Sequence, residues 1–170
     1  SLAENLADLP KICNWGAKRN SQGKLEIWKG YKLHLDVVDG DIPIAAILTS
    51  ASVHDSQVAI ALAQMSAQRV TNCYDLMDSA YAAEEIDTFS RGLGHVPIID
   101  WPERGGVKPE MTPATARRYD QRTASERVNS TVKDNYGGEH VRVRGDAKVK
   151  LHLMFGLIAV CAVQLLRLLE

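Results

Sequence analysis

Residues 24–39 alternate along the chain, with Tyr31, Leu33, Leu35 and Val37 on one face and Lys32, His34 and Asp36 on the other. A period of two predicts a half-buried strand. Asp39-Gly40-Asp41 supplies a turn and residues 42–50, IPIAAILTS, a second apolar run, so the two strands predict an antiparallel hairpin whose polar face meets solvent. From Ser52 the apolar positions Val58, Leu62 and Met65 recur at helical spacing to about residue 68, with Ser52 and Asp55 read as the helix N-terminus. Residues 70–77 predict a short strand ending at Asp78, and residues 82–91 a helix stopped by Gly92 and Gly94. Residues 95–100 predict another strand, whose Pro97 suits a sheet edge. A loop rich in Pro, Gly and charge over 101–113 leads into one long helix, residues 114–136, closed by Gly137-Gly138. Residues 141–144 alternate Val and Arg, and residues 146–169 predict a last helix. Its eleven-residue apolar run, 153–163, is too short to span a bilayer and reads as buried, with part of the helix's apolar surface expected to stay uncovered and to drive self-association. Residues 1–23 show no period and are expected to be an irregular lead-in. Alternating strands and helices predict an α/β fold with a mixed sheet.

Composition narrows the class. A chain of 170 residues with 45% apolar and 24% charged side chains fits one soluble globular domain, not a coiled coil, a collagen or a disordered tail. Its net charge of −1 provides no bulk field to hold nucleic acid or an acidic membrane, so such binding needs local patches. The charge is uneven: residues 51–100 carry 7 acidic against 2 basic side chains, and residues 101–150 carry 11 basic against 7 acidic. Cys13, Cys73 and Cys161 are far apart and lack CxxC spacing, which argues against disulfides and zinc and for a reducing cytoplasm. Residues 1–10 carry Glu4 and Asp8 and no basic segment, so they are not a signal peptide, and the absence of a start methionine leads us to expect a fragment.

The candidate chemistry lies in the long helix. Tyr119, Arg122, Glu126 and Lys133 stand at i, i+3, i+7 and i+14, which at about 100° per residue puts them within roughly a 60° arc. Ala124, Val128, Thr131 and Val132 point the other way, toward a core. Such a polar stripe is either a solvated face with i,i+4 ion pairs or a surface facing something specific. The pattern Tyr-x2-Arg-x3-Glu-x6-Lys resembles that of bacterial insertion-sequence transposases of the DDE type. The segment LMDSAY around Asp78 is similar to that family's second acidic motif, with Ala80 and Tyr81 as the small and aromatic residues after the Asp. The hairpin segment WKGYKLHLDVVDGDIPIAAILTSASVHDSQ and the later VRVRGDAKVKLHLMFG are similar to stretches before and after these motifs. The resemblance runs from about Trp28 to the end. It implies an RNase H-like fold, with residues 24–145 as its core and 146–170 as a C-terminal apolar helix. It further implies DNA transposition in the bacterial cytoplasm by a homo-oligomer acting at element ends, with no membrane partner.

By that resemblance Asp78 and Glu126 are two of three catalytic carboxylates and ligands of Mg²⁺ or Mn²⁺, since in-line displacement at phosphate uses paired ions held by hard oxygens. Arg122 and Lys133 would contact DNA phosphate and be substantially exposed, and Tyr119 would hydrogen-bond phosphate or stack on a base. Plainer readings stand beside these. Asp78 could cap the following helix, Asp55 belongs to a helix N-terminus, and His34 and Asp36 sit on an exposed hairpin face. Arg142 and Arg144 suit either phosphate contact or a solvated edge, while Tyr74, Trp101 and Tyr136 read as packing residues. The first acidic residue of the family has no match before Lys24, where only Asp8 stands, in a polar context. Asp36 is the one substitute we consider. We therefore expect a chain truncated between the first and second acidic motifs, which binds DNA weakly and leaves it uncut. A non-catalytic DNA-binding or assembly remnant is the alternative, and a metal-dependent nuclease on the same fold reads identically.

Overall fold

Thirteen of the fourteen residues from Leu25 to Val38 carry a side chain, and their alternation extends a single long strand, β2. We describe it from a computed structural model covering residues 1–19, 23–103, 105 and 107–169. At Gly40 and Asp41 the chain takes left-handed backbone conformations, φ 79° and 58°, which reverse it into β3 (Ile42–Ser50). β2 and β3 pair antiparallel from Tyr31–Ser50 to Val38–Ile42, with an irregularity between Asp36 and Val37. The turn is tied down from outside, where the Arg127 guanidinium grips the Asp41 carboxylate at 2.6 to 3.2 Å.

The lead-in expected to be irregular is ordered. Residues Leu2–Asp8 form α1, begun by a capping box between Ser1 and Glu4. Asn14–Arg19 form β1, which pairs antiparallel with residues 25–30 of β2. The signal was weak because β1 has one buried residue, Gly16, and therefore no apolar period to read.

Both faces of the hairpin are covered, which corrects the expectation of a solvated side. On one face Leu33, Leu35 and Val37 join Leu48 against Val128 and Val132 and against Val149, Leu153, Leu157 and Val160. Those residues come from α5 (Thr123–Asn135) and α6 (Asp146–Arg167). On the other face Ala45 and Ile47 pack on Val58, Ala61 and Leu62 of α2 (Ser56–Ala67), with Leu2, Leu6 and Leu9 at the margin. The β3 residues on the polar side are apolar, so α2 settles over that face and takes His34 and Asp36 inside with it.

The expected single mixed sheet is two sheets. β4 (Tyr74–Met77) and β5 (Val96–Ile99) pair parallel across α3 (Glu84–Gly92), apart from the antiparallel β1-β2-β3 set. Pro97 lies on β5, which has one described strand neighbour, so its missing N–H costs no ladder bond. The expected long helix is also divided: α4 (Pro113–Tyr119), a 3₁₀ turn over Asp120–Arg122, then α5. Gly137 (φ 70°) ends α5 as expected, with the Gly138 N–H donating to the Val132 carbonyl at 3.0 Å. Residues 141–144 form no strand.

Helix α6 is long and apolar enough, by length and composition, to cross a membrane, although the eleven-residue run alone is not. Here one side of it is core and the other is bare. Leu151, Phe155, Ile158 and Leu165 are all more than half exposed, so the expectation of a buried helix holds for one face.

Candidate active site

A cavity of about 2080 Å³ opens between β2 and β4, with α5 along one wall. Each strand presents it with an edge that has no described ladder partner. Asp78, Arg122, Glu126 and Lys133 all line it, so four of the five residues singled out from sequence converge from two separate segments. Tyr119 stands behind them. Its ring lies 5.4 Å below the Arg122 guanidinium, and burial pushes its hydroxyl pKa up.

Asp78 follows the last residue of β4, and its Oδ1 accepts the Ala80 N–H at 2.9 Å, capping the 3₁₀ turn Ser79–Tyr81. The capping reading holds: the cap occupies one oxygen and fixes the carboxylate at the strand's end, with the other oxygen left outside the cap. Glu126 is exposed and accepts the Arg122 Nη1–H at 2.7 Å. Arg122 departs from expectation. It is three-quarters covered, and its Nε is buried with no partner. Burial works against its charge, but Tyr119, Glu126 and Asp78 together raise its pKa. The 3₁₀ turn causes this: the tighter winding at 120–122 swings Arg122 inward against β4 instead of along an uninterrupted helical stripe. Lys133 is exposed, as expected.

His34, Asp36 and Asp55, read from sequence as a hairpin face and a helix N-terminus, also line the cavity. His34 is buried, with Nδ1 2.9 Å from Asp55 Oδ1 and Nε2 2.9 Å from the Thr49 hydroxyl. Asp55 also takes Lys32 Nζ at 2.9 Å and caps nothing. Burial alone would raise the Asp55 pKa, but the hydrogen bonds from His34 and Lys32 bring it to about 2. Asp36 faces the opposite balance. Burial raises its pKa, the negative charge of Asp75 adds to that, and the Ser66 hydroxyl that donates to it only partly offsets the rise. Asp75 is itself satisfied by Asn72 at 2.7 Å, Ser90 at 2.5 Å and His95 at 3.0 Å. Tyr81, largely buried, has its hydroxyl pKa raised by burial and then by Asp55, Asp78 and Asp36, so all three carboxylates act on one point. The available signal was the spacing Asp75-x2-Asp78 and the shared parity of His34 and Asp36. Neither reveals that a helix covers them.

The sequence matches the family model described as the transposase DDE domain over residues 7–162. The chain belongs to that family. No curated protein and no solved structure matches it. Membership in the transposase DDE domain family carries transposase-type chemistry and DNA binding in general, and such domains generally use divalent metals. The donor types here suit a hard cation, since Asp78 has one carboxylate oxygen outside the cap and Glu126 is exposed. Among the described residues, no three of His, Cys, Asp and Glu gather closely enough to hold an ion by themselves. Two carboxylates are the number Mg²⁺ commonly takes from protein when substrate phosphate and water complete its shell.

Proposed function

We propose that the cavity between β2 and β4 is a transposase active site that cuts DNA at the ends of an insertion sequence and transfers the freed 3′ end. Asp78 and Glu126 are its metal ligands in this reading, and the protein works as a homo-oligomer in the bacterial cytoplasm. The observation that carries it is the convergence of Asp78, Glu126, Arg122 and Lys133 on one cavity in a DDE-domain chain. Bound Mg²⁺ or Mn²⁺ would polarise the scissile phosphate. The chain's own residues do the rest. Asp78 is held at the strand end by Ala80. Glu126, once released from Arg122, would be free to hold the cation, and the Arg122 fork would take a phosphate, which would also satisfy the buried Nε. Lys133 adds a second phosphate contact as a point charge, and Tyr119 supports the guanidinium from below.

The proposal extends to the sheet. A strand inserted between the facing edges of β2 and β4 would join the antiparallel and parallel sets into one RNase H-like mixed sheet over residues 24–145. An acidic residue on that strand would stand between Asp78 and Glu126 as the third carboxylate. Asp36 is the competing candidate within the chain, although Ser66 already engages it.

The test uses labelled element-end DNA with Mg²⁺ or Mn²⁺. The 170-residue chain is compared with a longer form that supplies the proposed third carboxylate on an added N-terminal strand. The extended form is expected to nick and join, and Asp78→Asn or Glu126→Gln to abolish both, while the 170-residue chain leaves DNA intact. Cleavage by the shorter chain that Asp36→Asn removes would assign the first carboxylate to Asp36. Binding without cleavage in either form would make the protein a non-catalytic remnant, and cleavage that survives both substitutions would overturn the site.

A further inference from the structure

β1 and residues 25–30 of β2 form a two-stranded ribbon that takes little part in the core. Among the described residues, no ribbon residue belongs to either core cluster. Its register puts Trp15 opposite Lys29, Ala17 opposite Ile27 and Arg19 opposite Leu25, so these six side chains share one face. That face holds two cations and no acid. Its apolar members are bare: Trp15 is 60% and Ile27 61% exposed, and Lys29 Nζ stands 5.9 Å over the Trp15 ring. The reverse face docks the ribbon. Trp28 closes on Gly16, where a Cβ would lie 2.7 Å from both the Trp28 ring and the Ala51 carbonyl oxygen. Residues 11–30 carry five basic side chains against one acidic, a local net of +4 in a chain whose total is −1.

We propose that this ribbon is a duplex-DNA arm, a contact surface additional to Asp78, Tyr119, Arg122, Glu126 and Lys133. A B-DNA major groove admits a two-stranded β-ribbon, and an exposed face mixing cations with apolar side chains suits phosphates at the groove rims and sugar or base edges between them. A polyanion fits better than a protein partner, because residues 11–30 carry a net charge of +4 that complements phosphate. Position strengthens the assignment: Lys18, Ile27 and Lys29 also line the cavity that holds Asp78 and Glu126. A duplex resting on the ribbon thus reaches the proposed cleavage site without leaving the protein surface. In this respect the arm deepens the transposase reading and rests on it. Arg19 and Lys29 hold phosphate, and Trp15 and Ile27 supply the apolar contact.

The test is fluorescence anisotropy of a short labelled duplex, titrated with the 170-residue chain across a range of salt. Each phosphate contact contributes about one unit to the slope of log affinity against log salt. The Arg19→Gln/Lys29→Gln variant should lose about two units of slope and bind at least severalfold more weakly. Trp15→Ala should weaken binding severalfold and leave the slope unchanged. All three side chains are exposed, so thermal melts of both variants should match the parent, and Lys133→Ala should lower the slope by about one unit independently of the ribbon. Parent-like slope and affinity in the double variant overturn the arm, whatever the cleavage assay gives. Tighter binding of the single strand than of the duplex, with the double variant unaffected on duplex, also overturns it. Loss of the cleavage reading with the ribbon's effect on binding intact leaves the arm standing, while a parent chain that binds no duplex sinks both.

Discussion

Two aspartates in the cavity show how strongly surroundings decide the behaviour of one residue type. Asp55 accepts hydrogen bonds from Lys32 and His34 and has a pKa of about 2, whereas half-buried Asp36, desolvated and near another acid, has its pKa raised. A raised acid pKa means that the folded chain binds the proton more tightly than the unfolded chain, so ionised Asp36 costs stability above that pKa. Asp36→Asn keeps an acceptor for Ser66 and removes the charge, and should raise Tm by a few degrees at pH 7. The gain should shrink as pH falls through the raised pKa toward 3.8, and melts across that range read it directly. Asp55 runs the other way: its contribution is present above its unfolded pKa of 3.8 and is lost as pH falls toward about 2. Asp55→Asn should cost about 2 kcal/mol at pH 7, the scale of hydrogen bonds to a charged group, and much less near pH 2. Chemical denaturation at the two pH values checks it. Sequence singled out Asp78 and Glu126, which line the cavity, because their neighbours form a recognisable motif. It did not disclose the His34–Asp55 pair, since period-two alternation distinguishes the faces of a strand without saying what covers each one.

Among the elements, the hairpin, α2, α3, α6 and the C-terminal stop of α5 were legible, because each is marked by a sustained period or by glycines that must turn. The break at Asp120–Arg122 was not. No Pro or Gly marks it, so the tighter winding that carries Arg122 inward against β4 leaves no local trace. β1 was missed for the opposite reason: its side chains point to solvent on one face and its docking depends on Gly16 having no side chain. Gly16→Ala should therefore cost about 1–3 kcal/mol, as overpacking a close contact does, because the Ala51 carbonyl is backbone and cannot rotate away. A denaturant midpoint lowered at unchanged slope would register it; an unaltered midpoint would mean that the ribbon does not need this approach.

For the molecule as a whole, the apolar face of α6 is the largest departure from a self-contained domain. Leu151, Phe155, Ile158 and Leu165 recur at spacings of four, three and seven, the interval that carries a stripe along one side of a helix. Exposed apolar patches of this kind mark association surfaces. The chain should show a mass that rises with concentration in light scattering, and Phe155→Glu/Ile158→Glu should hold it at the monomer mass without lowering Tm. Composition alone does not locate that face, since the same leucines would count equally in a buried helix.

The gap between β2 and β4 has a further consequence, for the exchange of backbone protons with solvent. Every second amide of β2 between Tyr31 and Val38 points away from β3. Those N–H groups open on the cavity, although helices cover both faces of the strand. Deuterium uptake along β2 should alternate residue by residue, quick where the amide meets the cavity and slow where it meets β3. A strand that enters the gap would silence the quick set first, and in that way report its own arrival.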